Sequence, residues 1–439
     1  MQSLEGAILI DTIIDDILRS AEHVADETEV LAVKSESIGA ELKKDKIAIG
    51  SKSKSSGIVI RVIKGGKIGV SCTDNLNTWK KCLDAACASA TFADPLPWRG
   101  LPQPETIDQT PLAYDRRVQT DPTLVTNLIE RLKTGSDAYP ADITSGSASV
   151  MISEHALANT HDLLYTTIGS QIHVSLEMIA SQSTGYESDT SWNLDRIEPE
   201  KTGEETAFFA HRGEGGKEIK TGTYDVILSP IAISQLLEAA VVPALSGKNV
   251  HTGRSLFAGK IGTAVAHEKI SLVDEPLDPR GIANCTWDGE GMPVRTNTFI
   301  DEGILRSFAY DLRTAYRYGE NPTASAVRNG QSGAPSIGTH NLILKGPDMD
   351  IFDEKSVFVH DLIGAHTANP MSGDFSVELS SPFFVNDGEF QEPIRAGMIS
   401  GNIFDILHKI QGCSKKTRTL GSTIVPWVRL SDIAIIGRG

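Results

Sequence analysis

The stretch Ser372–Asn402, SGDFSVELSSPFFVNDGEFQEPIRAGMISGN, decides how the rest of the chain is read. Ser372-Gly373-Asp374 is polar and turn-forming, and the alternating run behind it has the two-residue period of a strand. Asn386-Asp387-Gly388 then sits between apolar runs, a strong local signal for a tight hairpin. A second strand over Glu389–Ile394 and a helix complete the order. Gly373 and Gly388 stand where the backbone needs conformations that other residues adopt only with strain.

The pattern outside this block implies more than one core. A chain of 439 residues exceeds what one hydrophobic core normally supports, so two or three domains are expected. Its 40% apolar and 22% charged residues are those of a globular protein. A formal net charge of −16 argues against a nucleic-acid surface, which needs clustered cations. The basic group Lys415, Lys416 and Arg418 is small and reads as a solvated loop. Asp11, Asp15 and Asp16 interrupt the apolar N-terminal residues, so neither a secretion signal nor a membrane span is expected there. Five scattered cysteines fit buried thiols in a reducing compartment.

The segments fall into an α+β order. Leu9, Ile10, Ile13, Ile14, Ile17, Leu18 and Ala21 have helical spacing. Glu29–Lys34, Ile38–Lys43, Gly57–Ile63 and Lys67–Cys72 read as antiparallel strands, and Thr78–Ala93 as a helix. These make an N-terminal helix-and-antiparallel-sheet domain over 1–93. Five prolines between Asp94 and Asp121 predict a linker or surface strap over 94–121. Asp121-Pro122 opens a helix in a central mixed domain over 122–222. Ser147–Ser153, Asp162–Thr167 and Gln171–Ser181 are its expected strands. His211–Lys217 is glycine-rich and predicts a boundary, either a hinge or a mobile flap. A large β-rich domain fills 223–439. It includes a strand over Tyr224–Leu228 and a helix capped by Ser229-Pro230 that Pro243 should end or kink.

Tests for chemistry exclude several classes. Gly253–Lys260 resembles a phosphate loop, but five residues separate its glycines and Ile261 follows the lysine where Ser or Thr belongs. No serine stands in a hydrolase elbow. His155/His161 and His360/His366 lack the one-turn spacing that aims two imidazoles from one helix, and both pairs read as loop histidines. A metal site assembled from distant residues such as His340, His360, His366 and Cys285 stays open as a minor alternative. Glu238, in Leu237-Glu238-Ala239-Ala240-Val241-Val242, reads on its own as a helix-surface glutamate.

The run from Gly253 through Leu272-Val273-Asp274, Asp288-Gly289-Glu290-Gly291 and Glu302-Gly303 to Ser372–Asn402 resembles the C-terminal domain of the TldD/PmbA family. The order of the earlier segments is similar too, so the resemblance covers nearly the whole chain. It implies that fold and a place in a cytoplasmic, zinc-dependent protease built from two related subunits. In the TldD-type subunit a His-Glu-x-x-x-His helix supplies two zinc ligands and a catalytic glutamate, and a later cysteine supplies a further ligand. The glutamate of that pattern falls on Glu238, while the two histidine positions fall on Leu237 and Val242, which cannot donate to zinc.

The resemblance therefore points to the TldE/PmbA-type subunit. It implies no metal in this chain, zinc in a TldD-type partner, and an unstructured peptide as substrate. A peptide-binding or scaffolding homodimer with no catalytic role is the alternative, and neither reading involves nucleic acid or membrane. If a groove exists, it is expected around Glu238, His251, Arg254, Gly373, Asp374 and Phe375. Asp374 and Arg254 read equally well as turn-capping residues.

Overall fold

The computed structural model describes residues 2–437 except 109, 111 and 329–332, with side chains from residue 12 onward. Helix α1 (Gln2–Ala21) leads into three long strands, β1 (Glu27–Lys43), β2 (Lys46–Lys64) and β3 (Lys67–Thr73). Helices α2 (Trp79–Phe92) and α3 (Pro122–Ser136) follow, then β4 (Asp142–Asn159), β5 (Leu164–Ala180), β6 (Ser183–Ser191) and α4 (Pro199–Arg212). Leu9 and Ile10 of the expected apolar stripe lie outside the described side chains.

The strands of residues 1–93 and 122–222, expected as two domains, form one antiparallel sheet in the order β3-β2-β1-β4-β5-β6. The join is the β1–β4 ladder, which runs from Glu29 opposite Asn159 to Lys43 opposite Ser145. Glu29–Lys34 and Ile38–Lys43, read as two strands, are one. The polar Ser35-Glu36-Ser37 between them stays in the ladder because both neighbouring strands continue past it.

Alternation along β1 buries both faces. Val30 and Ala32 join Ile14, Ile17 and Leu83 under α1 and α2, while Leu31 and Val33 pack with Trp287 of the C-terminal region. Val125, Leu128, Ile129 and Leu132 of α3 cover the other half of the helix-bearing face, against Val150, Ile172 and Val174. Asp121 caps α3 by accepting the Thr123 amide, as its position before Pro122 predicts. Helix α4 carries little apolar patterning beyond Ala207, Phe209 and Ala210, and its length is not apparent in the sequence. Its Gly203 lets α3 approach closely, because a Cβ there would lie 2.1 Å from the Leu132 carbonyl oxygen.

The Pro-rich strap ties off one end of this sheet. Trp98 and His161 both bond the Glu27 carboxylate, and the Asn159 side-chain amide donates to the Pro102 carbonyl at 2.9 Å. His161 therefore sits in the β4–β5 turn as expected. His155 does not. It lies half-buried within β4, because that strand runs on to Asn159.

The C-terminal region begins with β7 (Gly222–Leu228), α5 (Pro230–Leu236), a π turn (Leu237–Val241), α6 (Val242–Leu245) and α7 (Gly247–His251). The strands β8 (Ser271–Asp274), β9 (Asn297–Asp301) and β10 (Ile304–Leu305) precede α8 (Leu312–Tyr318). Next come β11 (Ala326–Val327), β12 (Ser336–Ile337), β13 (Leu342–Lys345), β14 (Ser356–Val359) and β15 (Asp361–Ile363). The chain ends with β16 (Asp374–Ser380), β17 (Phe383–Asn386), β18 (Glu389–Pro393), β19 (Gly397–Asn402), α9 (Ile403–Lys409), β20 (Ile410–Leu420) and β21 (Thr423–Gly437). Strand β21 lies at the centre of this sheet, parallel to β13 and antiparallel to β7, β19 and β20.

The block that opened the sequence reading folds as expected at its turn and differs at one place. Asp387 and Gly388 take φ of +51° and +80° in the hairpin between β17 and β18. The run Asp374–Val385, however, is two strands rather than one. Ser381 turns at φ +44° and Pro382 has no amide to donate, so β16 pairs with β15 and β19 whereas β17 pairs with β14 and β18.

The stretch 211–217, expected as a hinge or a mobile flap, begins inside α4 and ends at Lys217 beside the β18–β19 connection. The Lys217 amide donates to the Pro393 carbonyl at 2.8 Å, and the Arg395 amide donates back to Lys217 at 2.9 Å. Arg418, read as part of a solvated basic loop, lies instead in β20 and bonds the buried Glu187 carboxylate of β6 at 2.9 Å. Among the described residues no helix is long and apolar enough to cross a membrane.

Candidate functional site

Helix α5 starts at Ser229, whose hydroxyl accepts the amides of Ile231 and Ala232. Expected to stop or kink at Pro243, it changes to the π turn just before that proline and ends at Leu245. Pro243 has no amide for a regular helical bond, and the Val242 amide reaches back five residues to the Leu237 carbonyl. The extra residue in this turn carries Glu238 out of the apolar face formed by Leu237, Ala240 and Val241, which are fully buried. Glu238 itself is exposed, yet its recess strips enough water to raise its carboxyl above the ordinary glutamate value.

The β20–β21 hairpin closes against this carboxylate. Ser234 of α5 bonds the Thr423 hydroxyl at 2.7 Å, and Thr423 donates to the Leu420 carbonyl at 2.8 Å. This clamp brings Gly421, at φ +54°, so close that a Cβ there would stand 3.6 Å from a Glu238 carboxylate oxygen. Gly421 is also the rim of a cleft of about 470 Å³ between the face of β4 and β5 and the Ile282–Gly289 loop. Glu238 is thus the neighbour of a residue that lines the cleft.

Two residues lining the cleft, Asp288 and Arg328, belong to a cluster of buried charges. Arg61 of β2 pairs with Glu29 of β1 at 2.5 Å and with Glu290, and Arg328 pairs with the other Glu29 oxygen. Burial raises the Glu290 carboxyl against the pull of Arg61, and the Asp311 and Asp288 carboxylates raise it further. Asp288 accepts the amides of Glu290 and Met292 at 2.9 Å and of Ala326 at 3.1 Å, which fixes the Asp288–Gly291 turn.

The sequence-predicted groove residues are only partly brought together. Gly373, at φ +78°, approaches Phe404 so closely that a Cβ would lie 2.5 Å from its ring. Phe404 on α9 meets Phe257 edge-on at 5.1 Å, and α9 packs against the π turn. Through Phe404 the Gly373 loop and the Gly253–Lys260 loop therefore both buttress the Glu238 turn. Asp374 is exposed and accepts the Asn402 side-chain amide at 2.9 Å, a bond across the β16–β19 ladder. Phe375 is a core residue, not a groove wall. His251 turns away to stack on Tyr318 at 4.1 Å and bond the Tyr310 hydroxyl at 3.1 Å, because α7 packs on α8. Arg254 is exposed on its loop.

The four residues weighed as a distributed metal site separate. His340 and Cys285 meet in the cleft wall. His360 lies elsewhere, against Glu187 at 3.1 Å and stacked on Phe209 at 3.9 Å, and His366 sits on a short 3-10 turn. Among the described residues, no group of three or more His, Cys, Asp or Glu side chains is placed to hold a metal ion. A zinc site needs about three donors. The turn itself offers one carboxylate between apolar neighbours, a donor set that does not fit zinc.

Three domain models of the PmbA/TldA metallopeptidase family match the chain: domain 1 over residues 28–90, the central domain over 113–213 and the C-terminal domain over 221–437. An uncharacterised protein of Methanocaldococcus jannaschii is 28% identical over 404 residues, spanning 90% of this chain and 92% of that protein. A protein of Methanothermobacter thermautotrophicus named a metalloprotease is 23% identical over 432 residues, spanning 93% and 92%. The solved structure of TldE from Thermococcus kodakarensis superposes with a TM-score of 0.89 at 24% identity, covering 97% of this chain and all of that one, a likeness of fold.

Proposed function

The chain belongs to the PmbA/TldD metallopeptidase family, and from that premise we propose that it is the zinc-free, TldE/PmbA-like subunit of a heterodimeric TldD/TldE-type protease acting on unstructured peptides. One observation carries the reading. Leu237 and Val242 bracket Glu238 on the π turn, and both pack into the apolar core. Neither offers a lone pair, so the carboxylate is left in its recess with no metal whose bound water it could activate. The subunit's contribution is then a wall of the chamber, with Glu238 and the Gly421 hairpin facing a peptide that the partner cuts.

Support also comes from the groove between the sheets, whose mixed polar and apolar walls suit an extended chain better than a folded surface. The test is reconstitution. The purified chain alone should leave an unfolded peptide intact, and adding a TldD-type subunit should yield cleavage above that of either chain. Peptide hydrolysis by the isolated chain, blocked by a chelator, would overturn the proposal.

A further inference from the structure

We propose that Cys285 is the nucleophile of an acyl-transfer site in the wall of the 470 Å³ cleft, with His340 as its base and Asp274 as the residue that positions that base. Nothing in the zinc-free subunit reading uses these groups, so the two proposals stand or fall separately.

Asp274, at the end of β8, is fully buried, and its carboxylate is held in one orientation. One oxygen accepts the amides of His340 and Asn341 at 2.9 and 2.8 Å, and the other faces His340 Nδ1 at 3.3 Å. This is the relation in which a carboxylate fixes a ring and stabilises the imidazolium formed when it takes a proton. The Cys285 thiol lies against the same imidazole. Burial opposes charge on His340, but the thiol and the Asp274 carboxylate outweigh it and lift the ring's basicity well above the usual range. A base held in this way beside a thiol can take its proton as the sulfur attacks.

A fourth group completes the constellation. The Asn341 side-chain amide donates to the Glu275 carbonyl at 3.1 Å and to Asn284 Oδ1 at 2.7 Å, which fixes the orientation of both amides. Among the described residues Asn284 Nδ2 is buried without a partner, one residue from Cys285, and Asn284 lines the same cleft. An unpaired buried donor costs about 1–3 kcal/mol unless something occupies it. The developing oxyanion of an acyl group on Cys285 is an occupant of the right charge. The apolar walls Leu31, Ile168, Trp287 and Val327 suit the acyl portion of an ester or thioester.

The step balances with water as the only co-reactant. His340 takes the thiol proton and the sulfur attacks the carbonyl carbon, forming a C–S bond. The bond to the leaving oxygen breaks as the imidazolium returns the proton to it. Water then adds to the thioester with its proton passing to His340, and cleavage of the C–S bond releases the acid and restores the thiol.

Cys72, exposed on β3, is the internal control, and the buried Cys82 and Cys413 report that the chain is folded. The experiment follows iodoacetamide modification of each cysteine in the intact chain by peptide mass mapping. From pH 8 to pH 6 a free small-molecule thiol slows roughly 100-fold, and the exposed Cys72 is followed beside it as the reference within the chain. Cys285 should slow less than 5-fold. His340→Gln should give Cys285 the Cys72 profile, and Asp274→Asn should move it part of the way. p-Nitrophenyl acetate should acetylate Cys285 with a burst of one p-nitrophenol per chain, lost in Cys285→Ser. If Cys285 tracks Cys72 in the parent chain, or carries no acetyl group, the proposal fails. Should His340→Gln expose Cys82 and Cys413, the parent-chain comparison and the acetyl adduct decide alone.

Discussion

Replacing Arg61 with leucine removes the cation that two buried carboxylates share. The side chains of Arg61, Glu29 and Glu290 are 3%, 1% and 1% exposed, so none can recruit water in compensation. Arg328 still serves Glu29, but Glu290 keeps only the Leu312 amide at 2.7 Å. Leaving one partner of a buried ion pair uncompensated costs about 3–5 kcal/mol. With a urea slope of about 3 kcal/mol per molar, Arg61→Leu should lower the unfolding midpoint by roughly 1–1.7 M at pH 7.5.

The loss should depend on pH with a definite sign. Glu290 already titrates above its unfolded value, so the folded state holds the extra proton, and stability falls as pH rises from about 4.3 through the folded pKa. Without Arg61 that folded pKa climbs further. The variant's deficit should thus be small near pH 5 and keep growing as pH rises past about 7. Arg61→Leu with Glu290→Gln removes the stranded charge and should recover about 2 kcal/mol. A single-variant loss below about 1 kcal/mol, or a double variant additive to within about 0.5 kcal/mol, would refute the idea that this cluster joins the two sheets.

Arg418→Met should destabilise by about 3 kcal/mol at neutral pH, because burial alone would raise Glu187 while His360 and Arg418 hold it down at about 2. A depressed folded pKa contributes stability above about 4.3 that is lost as pH falls toward 2, so the parent and variant denaturation midpoints should converge in acid. Gly373→Ala should cost about 2–4 kcal/mol, from the positive φ and from the collision with Phe404, read as a lower melting temperature. Glu238→Gln should stabilise the chain slightly, and increasingly as pH rises above about 4.3, since a raised carboxyl is a liability only when ionised. A pH-independent difference between Glu238→Gln and the parent in urea titrations would contradict the recess described for Glu238.

Local rules made part of this legible before any coordinates. The Asn386-Asp387-Gly388 hairpin, the Ser229 and Asp121 caps and the helix over 79–92 follow from turn chemistry and periodicity within a few residues. What the sequence hides is pairing at a distance. Ser35-Glu36-Ser37 looks like a break between strands, yet two neighbouring ladders carry β1 through it. Arg418 and Glu187 are 231 residues apart, and only the fold reveals that the arginine is not solvated.

The site divides the same way. Glu238 is singled out by its place in an apolar helix, and the π turn that carries it lies just before Pro243, a residue read as a helix stop or kink. His251 and Phe375 are drawn elsewhere by α8 and by the core, contacts with no sequence signature. Cys285, His340 and Asp274 meet because β8 pairs with β13, which sets Asp274 opposite Leu342 and so beside His340. A lone His and a lone Cys carry no such information in the chain.

The zinc content of the purified chain tests the central claim most directly. Elemental analysis after exchange into zinc-supplemented and then metal-free buffer should find well under 0.1 zinc per chain, because Leu237 and Val242 provide no donors where about three are needed. A stoichiometric, tightly held zinc that Glu238→Gln perturbs would contradict the account.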